Sequence, residues 1–216
     1  MRIITISREF GSGGRELGKR LADLLGCDYY DKEIIDRVAE QKKMDRGYLE
    51  KALESRTWQA IPLTYGKSFA MNQSLFYGTS LLVEEKRVIN SIAKAGNDCI
   101  IVGRNADVLL KDYQPFNIFV CAEMQAKISR CMERASEDEH YSQREIVQKI
   151  KQIDKARKDT RALMTGSVWG APASYHLVVN TTDWTIKELA PAVKEFSEHF
   201  FDRREHENGN SAFRPL

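Results

Sequence analysis

Hydrophobic positions along the chain alternate between short, fully apolar runs and one-sided stripes of helical period. Ile3-Ile4-Thr5-Ile6 is a β-branched run, and Leu17, Leu21, Leu24 and Leu25 then fall at i, i+4, i+7 and i+8, with Gly26 where such a helix stops. Cys27 to Tyr30 reads as a short strand ending in Asp31. Helices are expected from Lys32 to Lys43, through Ile34, Ile35 and Val38, and over about Arg46 to Glu54. Another runs from about Thr79 to Ala95 through Leu81, Leu82, Val88, Ile89 and Ile92, closed by Gly96-Asn97. Cys99 to Val102 and Asn117 to Cys121 are apolar throughout, as strands covered on both faces are. A short helix around Ala106 to Leu110 separates them. Met124 to Arg134 and about Ser142 to Arg161 are helical, and Ser142 with Glu145 three positions on forms a capping box. The last strand is His176 to Asn180, and the last helix starts near Thr185 and carries Ile186, Leu189, Val193, Phe196 and Phe200.

Strands alternating with helices predict an α/β fold with a mostly parallel sheet and helices on both faces. We expect one domain over 1–202, with an acceptor or flap region over about 31–95, a lid over about 135–170 and a weakly packed polar tail over 203–216. The stretch from Arg56 to Tyr77 has no clean period and holds Trp58, Tyr65, Phe69, Phe76 and Tyr77. It reads as a mobile flap or as an interface with aromatic anchors.

Composition narrows the class without naming it. With 33 basic and 31 acidic residues the formal charge is +2, which gives no general bias toward nucleic acid. The four cysteines, Cys27, Cys99, Cys121 and Cys131, lack CxxC spacing and read as buried thiols of a reducing compartment. No signal-peptide pattern and no run of membrane-spanning length stand out, so a cytoplasmic, non-membrane protein is expected. The four histidines, at 140, 176, 199 and 206, share no spacing and get no ligand role.

The candidate chemistry lies between the first strand and the first helix, in Ser7-Arg8-Glu9-Phe10-Gly11-Ser12-Gly13-Gly14-Arg15-Glu16. Glycines that turn backbone N–H groups inward, ahead of a helix N-terminus, make a phosphate cradle; a tight turn that binds nothing is the plain alternative. The loop is not a standard G-x-x-x-x-G-K-[ST]. In one register Gly14 takes the lysine position; in the next, Arg15 takes it and Glu16 the hydroxyl position. Either way the magnesium-binding hydroxyl is missing. In parallel sheets ligands sit beyond the carboxyl ends of the strands, where Asp31 and Gly103-Arg104-Asn105 are also expected. The structural alternatives are an Arg8–Glu9 salt bridge across the loop, Asp31 as an N-cap, solvated Arg157 and Arg161, and Trp169 as a cover of the core rather than a base-stacking residue.

The order strand, glycine loop, Tyr30-Asp31, Gly103-Arg104 and arginine-bearing helix resembles the nucleoside monophosphate kinases. The segment from Ile4 to Glu16, Tyr29-Tyr30-Asp31-Lys32-Glu33-Ile34-Ile35 and Trp169-Gly170 with Tyr175 resemble the cytidylate kinase-like group most closely. The resemblance implies a P-loop type fold and an ATP- and Mg²⁺-dependent kinase of a nucleoside monophosphate, CMP or dCMP. It places Gly11, Ser12, Gly13, Gly14 and Glu16 around the donor phosphates. Asp31, Arg104 and Asn105 fall on the acceptor side, Asn105 replacing the aspartate of a G-R-D segment. Arg15, Arg157 and Arg161 become the catalytic cations, the last two as an i, i+4 lid pair able to reach one site. No residue is identifiable as a metal ligand; Ser12, Glu16 or Asp31 would assist at second hand. The partners implied are nucleotide substrates, with a monomer or homodimer as the assembly. Two other readings stay open: a nucleotide or phosphate sensor with an altered loop, and a kinase of another small metabolite.

Overall fold

The structure is a computed structural model that describes residues 1–31, 79–135 and 141–211, and within them the side chains other than those of 79–82, 84 and 207–211. The expected helices over 32–54 and the aromatic stretch over 56–77 lie outside these residues.

Strand β1 (Ile3–Arg8) runs two residues further than its apolar core and is followed by α1 (Gly14–Leu25), which stops at Gly26 in the left-handed conformation. Then come β2 (Asp28–Tyr30), α2 (Thr79–Lys94), β3 (Cys99–Val102), the single-turn α3 (Ala106–Leu109), β4 (Phe116–Cys121), α4 (Met124–Glu133), α5 (Gln143–Thr165), β5 (Leu177–Asn180) and α6 (Ile186–Ser211). Among the described residues all five strands are parallel, in the order β2-β3-β1-β4-β5. After β1 the chain leaves toward β2 and β3, and after β4 toward β5, so the order reverses between β1 and β4. Such a reversal opens a crevice beyond the carboxyl ends of the two strands.

The pleat of β1 divides its side chains. Ile6 packs toward α1, where Gly18 leaves room for it, Val102 and Tyr29. On the other face Thr5 and Ser7 are buried but satisfied, Thr5 through its hydroxyl to Asn117 Oδ1 at 2.7 Å. The main core joins the strands to Leu17 and Leu21 of α1, Ile89 of α2 and Ile186 and Val193 of α6. A second cluster joins Phe10 of the loop to Ile128, Ile146 and Ile150, so that α4 and α5 are packed on the loop itself.

Helix α6 reaches Ser211, past the point where a loosely packed tail was expected at 203. Arg204 holds it to the body by donating to the Gln114 carbonyl at 2.6 Å and to Gln114 Oε1 at 2.5 Å. Cys99 and Cys131 are buried, Cys27 and Cys121 are half-buried, and all four thiols are free.

Candidate phosphate-binding site

Three hydrogen bonds from distant parts of the chain, and one within it, hold the loop after β1. The Phe10 N–H donates to Asp154 Oδ1 at 2.7 Å. The Ser12 hydroxyl donates to the Glu9 carbonyl, and the Thr181 hydroxyl donates to the Ser12 carbonyl. Glu9 Oε2 crosses the β1/β4 crevice to accept from the Ala122 N–H at 3.2 Å, and it meets the buried Lys127 ammonium at 2.5 Å. The expected Arg8–Glu9 bridge is therefore replaced: an ammonium on α4 gives Glu9 a partner, and a β-strand turns Arg8 to the opposite side.

Gly11 and Gly13 have φ of +78° and +82°, and a Cβ on Gly13 would stand 2.4 Å from Ile186. The glycines thus serve close packing as well as loop shape. Gly13 is the N-cap of α1, and among the described residues no side chain caps it. The Leu17 N–H to Gly13 carbonyl bond, 2.9 Å, is that of the first turn, so the amides before Leu17 have no acceptor within the helix.

The candidate cations each have a distinct setting. Arg15 donates through Nε to Asp31 Oδ2 at 2.6 Å, and Tyr29 completes the contact with its hydroxyl on the Arg15 carbonyl. Burial pushes the Tyr29 phenol far above its ordinary range. Arg104 forms an ion pair with the buried Glu85 at 3.0 Å. Gly103, Arg104 and Asn105 follow β3 with φ of +88°, +58° and +50°, a strained turn of the kind found at functional sites. Asn105 reaches Met164 at the end of α5.

Arg157 donates to the Arg8 carbonyl at 2.8 Å and to Asp154 at 3.3 Å, and lies over the Phe10 ring. Burial pushes the Asp154 carboxyl up, against the pull of Arg157, the Phe10 N–H and Lys127. Arg161 goes elsewhere: it is buried on Asp107 at 2.5 Å and donates to Ser167. The i, i+4 pair therefore projects from one helix onto two carboxylates.

Glu16 is clasped by Arg20 at 2.7 Å and by Arg134. Burial alone would raise its pKa, and the two guanidinium groups overcome this and leave it below the ordinary value. Trp169 packs edge-on against Phe119 at 5.2 Å in a buried cluster with Tyr175, as a cover of the core.

For Mg²⁺ the fit is poor. Among the described residues no group of three His, Cys, Asp or Glu side chains is placed to hold a metal. The Ser12 hydroxyl is donated to a carbonyl, and Glu16 and Asp31 are bound to arginines. An ion would have to arrive with substrate phosphates and water.

No motif marks Asp154, Asp107, Glu85 or Lys127, but Glu85 and Asp154 carry a signal in their phase. Glu85 is in phase with Val88, Ile89 and Ile92, and Asp154, Arg157 and Arg161 continue the stripe of Ile146 and Ile150. A charge in phase with an apolar stripe is buried and therefore paired.

A solved structure described as an uncharacterized protein from Eubacterium ventriosum ATCC 27560 is similar over 92% of this chain and 99% of that one, at 22% identity and a TM-score of 0.68. A shikimate kinase from Bacteroides thetaiotaomicron is similar over 91% of this chain and 98% of that one, at 13% identity and a TM-score of 0.51. A sugar kinase from Janibacter sp. HTCC2649 covers 89% and 92%, at 13% identity and a TM-score of 0.50. These likenesses show the fold of the P-loop kinases. No curated protein matches the chain. The model of the cytidylate kinase-like family matches residues 3–183, the span that holds the loop, the strand ends and the arginine-bearing helix, and the chain belongs to that family of kinase type.

Proposed function

We propose that the protein transfers the γ-phosphoryl group of ATP to a nucleoside monophosphate, with CMP or dCMP as the acceptor. The observation that carries this reading is the convergence of cations on the uncapped N-terminus of α1: Arg157 bonded to the loop, Arg15 at its first turn and Arg104 at the neighbouring strand end. Phosphoryl transfer needs positioning and neutralisation of the equatorial oxygens more than it needs covalent chemistry.

In this reading Gly11, Ser12, Gly13 and Gly14 offer backbone N–H groups to the donor phosphates, and Glu16 orients Arg20 and Arg134 beside them. Arg15 is anchored by Asp31 and contacts the β- or γ-phosphate. Arg104 and Asn105 hold the acceptor, and Arg157 bridges loop and lid. Arg161 joins the transferring group only when its pair with Asp107 opens.

The test is product formation from ATP with CMP, dCMP, UMP, AMP and GMP, with and without Mg²⁺, in the wild type, Arg15→Ala and Arg104→Ala. Transfer to one pyrimidine monophosphate, reduced about a hundredfold or more in both variants, is the expected result. ATP binding without transfer to any acceptor would refute it. A sensor is favoured by one observation: Asp154 already occupies the Phe10 amide of the loop and Arg161 is closed on Asp107, so protein groups already engage both. Tight nucleotide binding without Mg²⁺ dependence or turnover would establish that reading, and turnover with a non-nucleotide acceptor would move the assignment to another metabolite.

A further inference from the structure

We propose that Arg8 grips the phosphate end of the bound nucleotide and stands in for the lysine that the loop lacks. The inference rests on the proposed phosphate site and names a residue outside the set above. Arg8 is the last residue of the central strand. Its stem lies on Gly14, where an added Cβ would come within 2.6 Å of Arg8 Cβ. Its guanidinium lies over Gly103, where an added Cβ would come within 1.9 Å of Nη1 and 2.8 Å of Cζ. The side chain thus crosses from the first residue of α1 to the end of β3, in a groove that exists because both positions are glycine.

Arg15, Arg104, Arg157 and Arg161 each meet a carboxylate. Among the described residues, no hydrogen bond or ion pair engages the Arg8 guanidinium. The charges that face it are Arg157 from α5, Arg104 after β3 and Asp31 just after β2, and the Tyr29 phenol, which burial keeps protonated, faces it too. Burial first, and then repulsion by Arg157, holds its pKa down at about 9, which leaves it charged at neutral pH. A guanidinium with five N–H donors, surrounded more by cations than anions, gains most from an incoming dianion. The loop lysine of standard P-loops meets the β- and γ-phosphates from the helix side; here the cation comes from the strand side.

The experiment is titration calorimetry of ATP and of inorganic tripolyphosphate into the full chain, comparing wild type, Arg8→Gln, Arg8→Lys and Lys155→Gln. Lys155 is a charge-matched control on the exposed face of α5, with its side chain 75% exposed. Arg8→Gln should weaken both ligands at least tenfold, Arg8→Lys should keep part of the affinity, and Lys155→Gln should stay within twofold of wild type. Binding by Arg8→Gln within twofold of wild type, or a wild type that binds no tripolyphosphate, would overturn the inference. If Arg8→Gln does not fold, Arg8→Lys decides: at least a threefold loss supports the role and unchanged affinity overturns it. Loss of tripolyphosphate binding in Arg8→Gln beside a wild type that phosphorylates no nucleotide would support the Arg8 site while the kinase reading fails.

Discussion

Asp154 binds α5 to the loop at the scale of a single residue. Its carboxylate accepts from the Phe10 N–H, bonds Arg157 and lies 3.9 Å from Lys127. Asp154→Ala takes the acceptor from the Phe10 amide and the carboxylate from Arg157, while Lys127 keeps Glu9, and should cost about 1–3 kcal/mol in denaturant unfolding. Asp154→Asn, which keeps an acceptor for Phe10, should lose less; equal losses would mean that the charge matters and the hydrogen bond does not. The Arg161–Asp107 pair is more deeply buried, with side chains 4% and 3% exposed. Breaking it in Asp107→Asn should cost about 3–5 kcal/mol, because a desolvated guanidinium is left behind. Changing both residues, Arg161→Met with Asp107→Leu, should recover much of that loss in a double-mutant cycle. Additive losses would show that the pair is not coupled.

At the scale of elements, the start of β5 carries a pH-dependent contact. The Asn117 N–H donates to His176 Nδ1 at 2.9 Å, and the ring stacks on Phe116. Burial, then the charge of Arg204, lowers the His176 pKa below its ordinary 6.5. The folded state therefore binds fewer protons than the unfolded state below that pH. The stability involved is present above pH 6.5 and is lost as pH falls from there through the folded value. Chemical unfolding of wild type between pH 7.5 and 5 should show this decline, and His176→Phe should flatten it; an unchanged slope would assign the decline to other groups. The start of α5 is set locally. The Ser142 hydroxyl accepts from the Glu145 N–H, and the Glu145 carboxylate accepts from the Ser142 N–H at 2.8 Å. Ser142→Ala should cost about 1 kcal/mol, read as a shift in the unfolding midpoint.

At the scale of the whole molecule, the loop after β1 is a junction of α1, α4, α5 and α6. Gly13→Ala tests this. An added methyl collides with Ile186 of α6 in a left-handed conformation that costs a non-glycine residue about 1–2 kcal/mol. The variant should be destabilised by at least that amount and should bind tripolyphosphate more weakly. Wild-type affinity in the folded variant would show that the loop reaches its binding shape without α6.

What the sequence determined by itself was local. A β-branched run, three glycines and a stripe of leucines specify strand, turn and helix from backbone preference and period alone, and α1 begins and ends where those signals put it. The apolar run at 99–102 and the capping box at Ser142 follow the same rule. The parallel sheet was legible from the alternation of elements. The pairings were not, because charged partners lie far apart along the chain. Asp31 and Arg15 meet because β2 runs along β3, and Asp154 reaches Phe10 because α5 folds back across the loop. Charges in a lysine-rich helix look solvated until the apolar phase they share is noticed, and the carboxylates they meet are set by packing. The position of Arg8 over Gly103 was decided by tertiary structure alone: it requires β1 and β3 to be neighbours, a non-local choice made by sheet order.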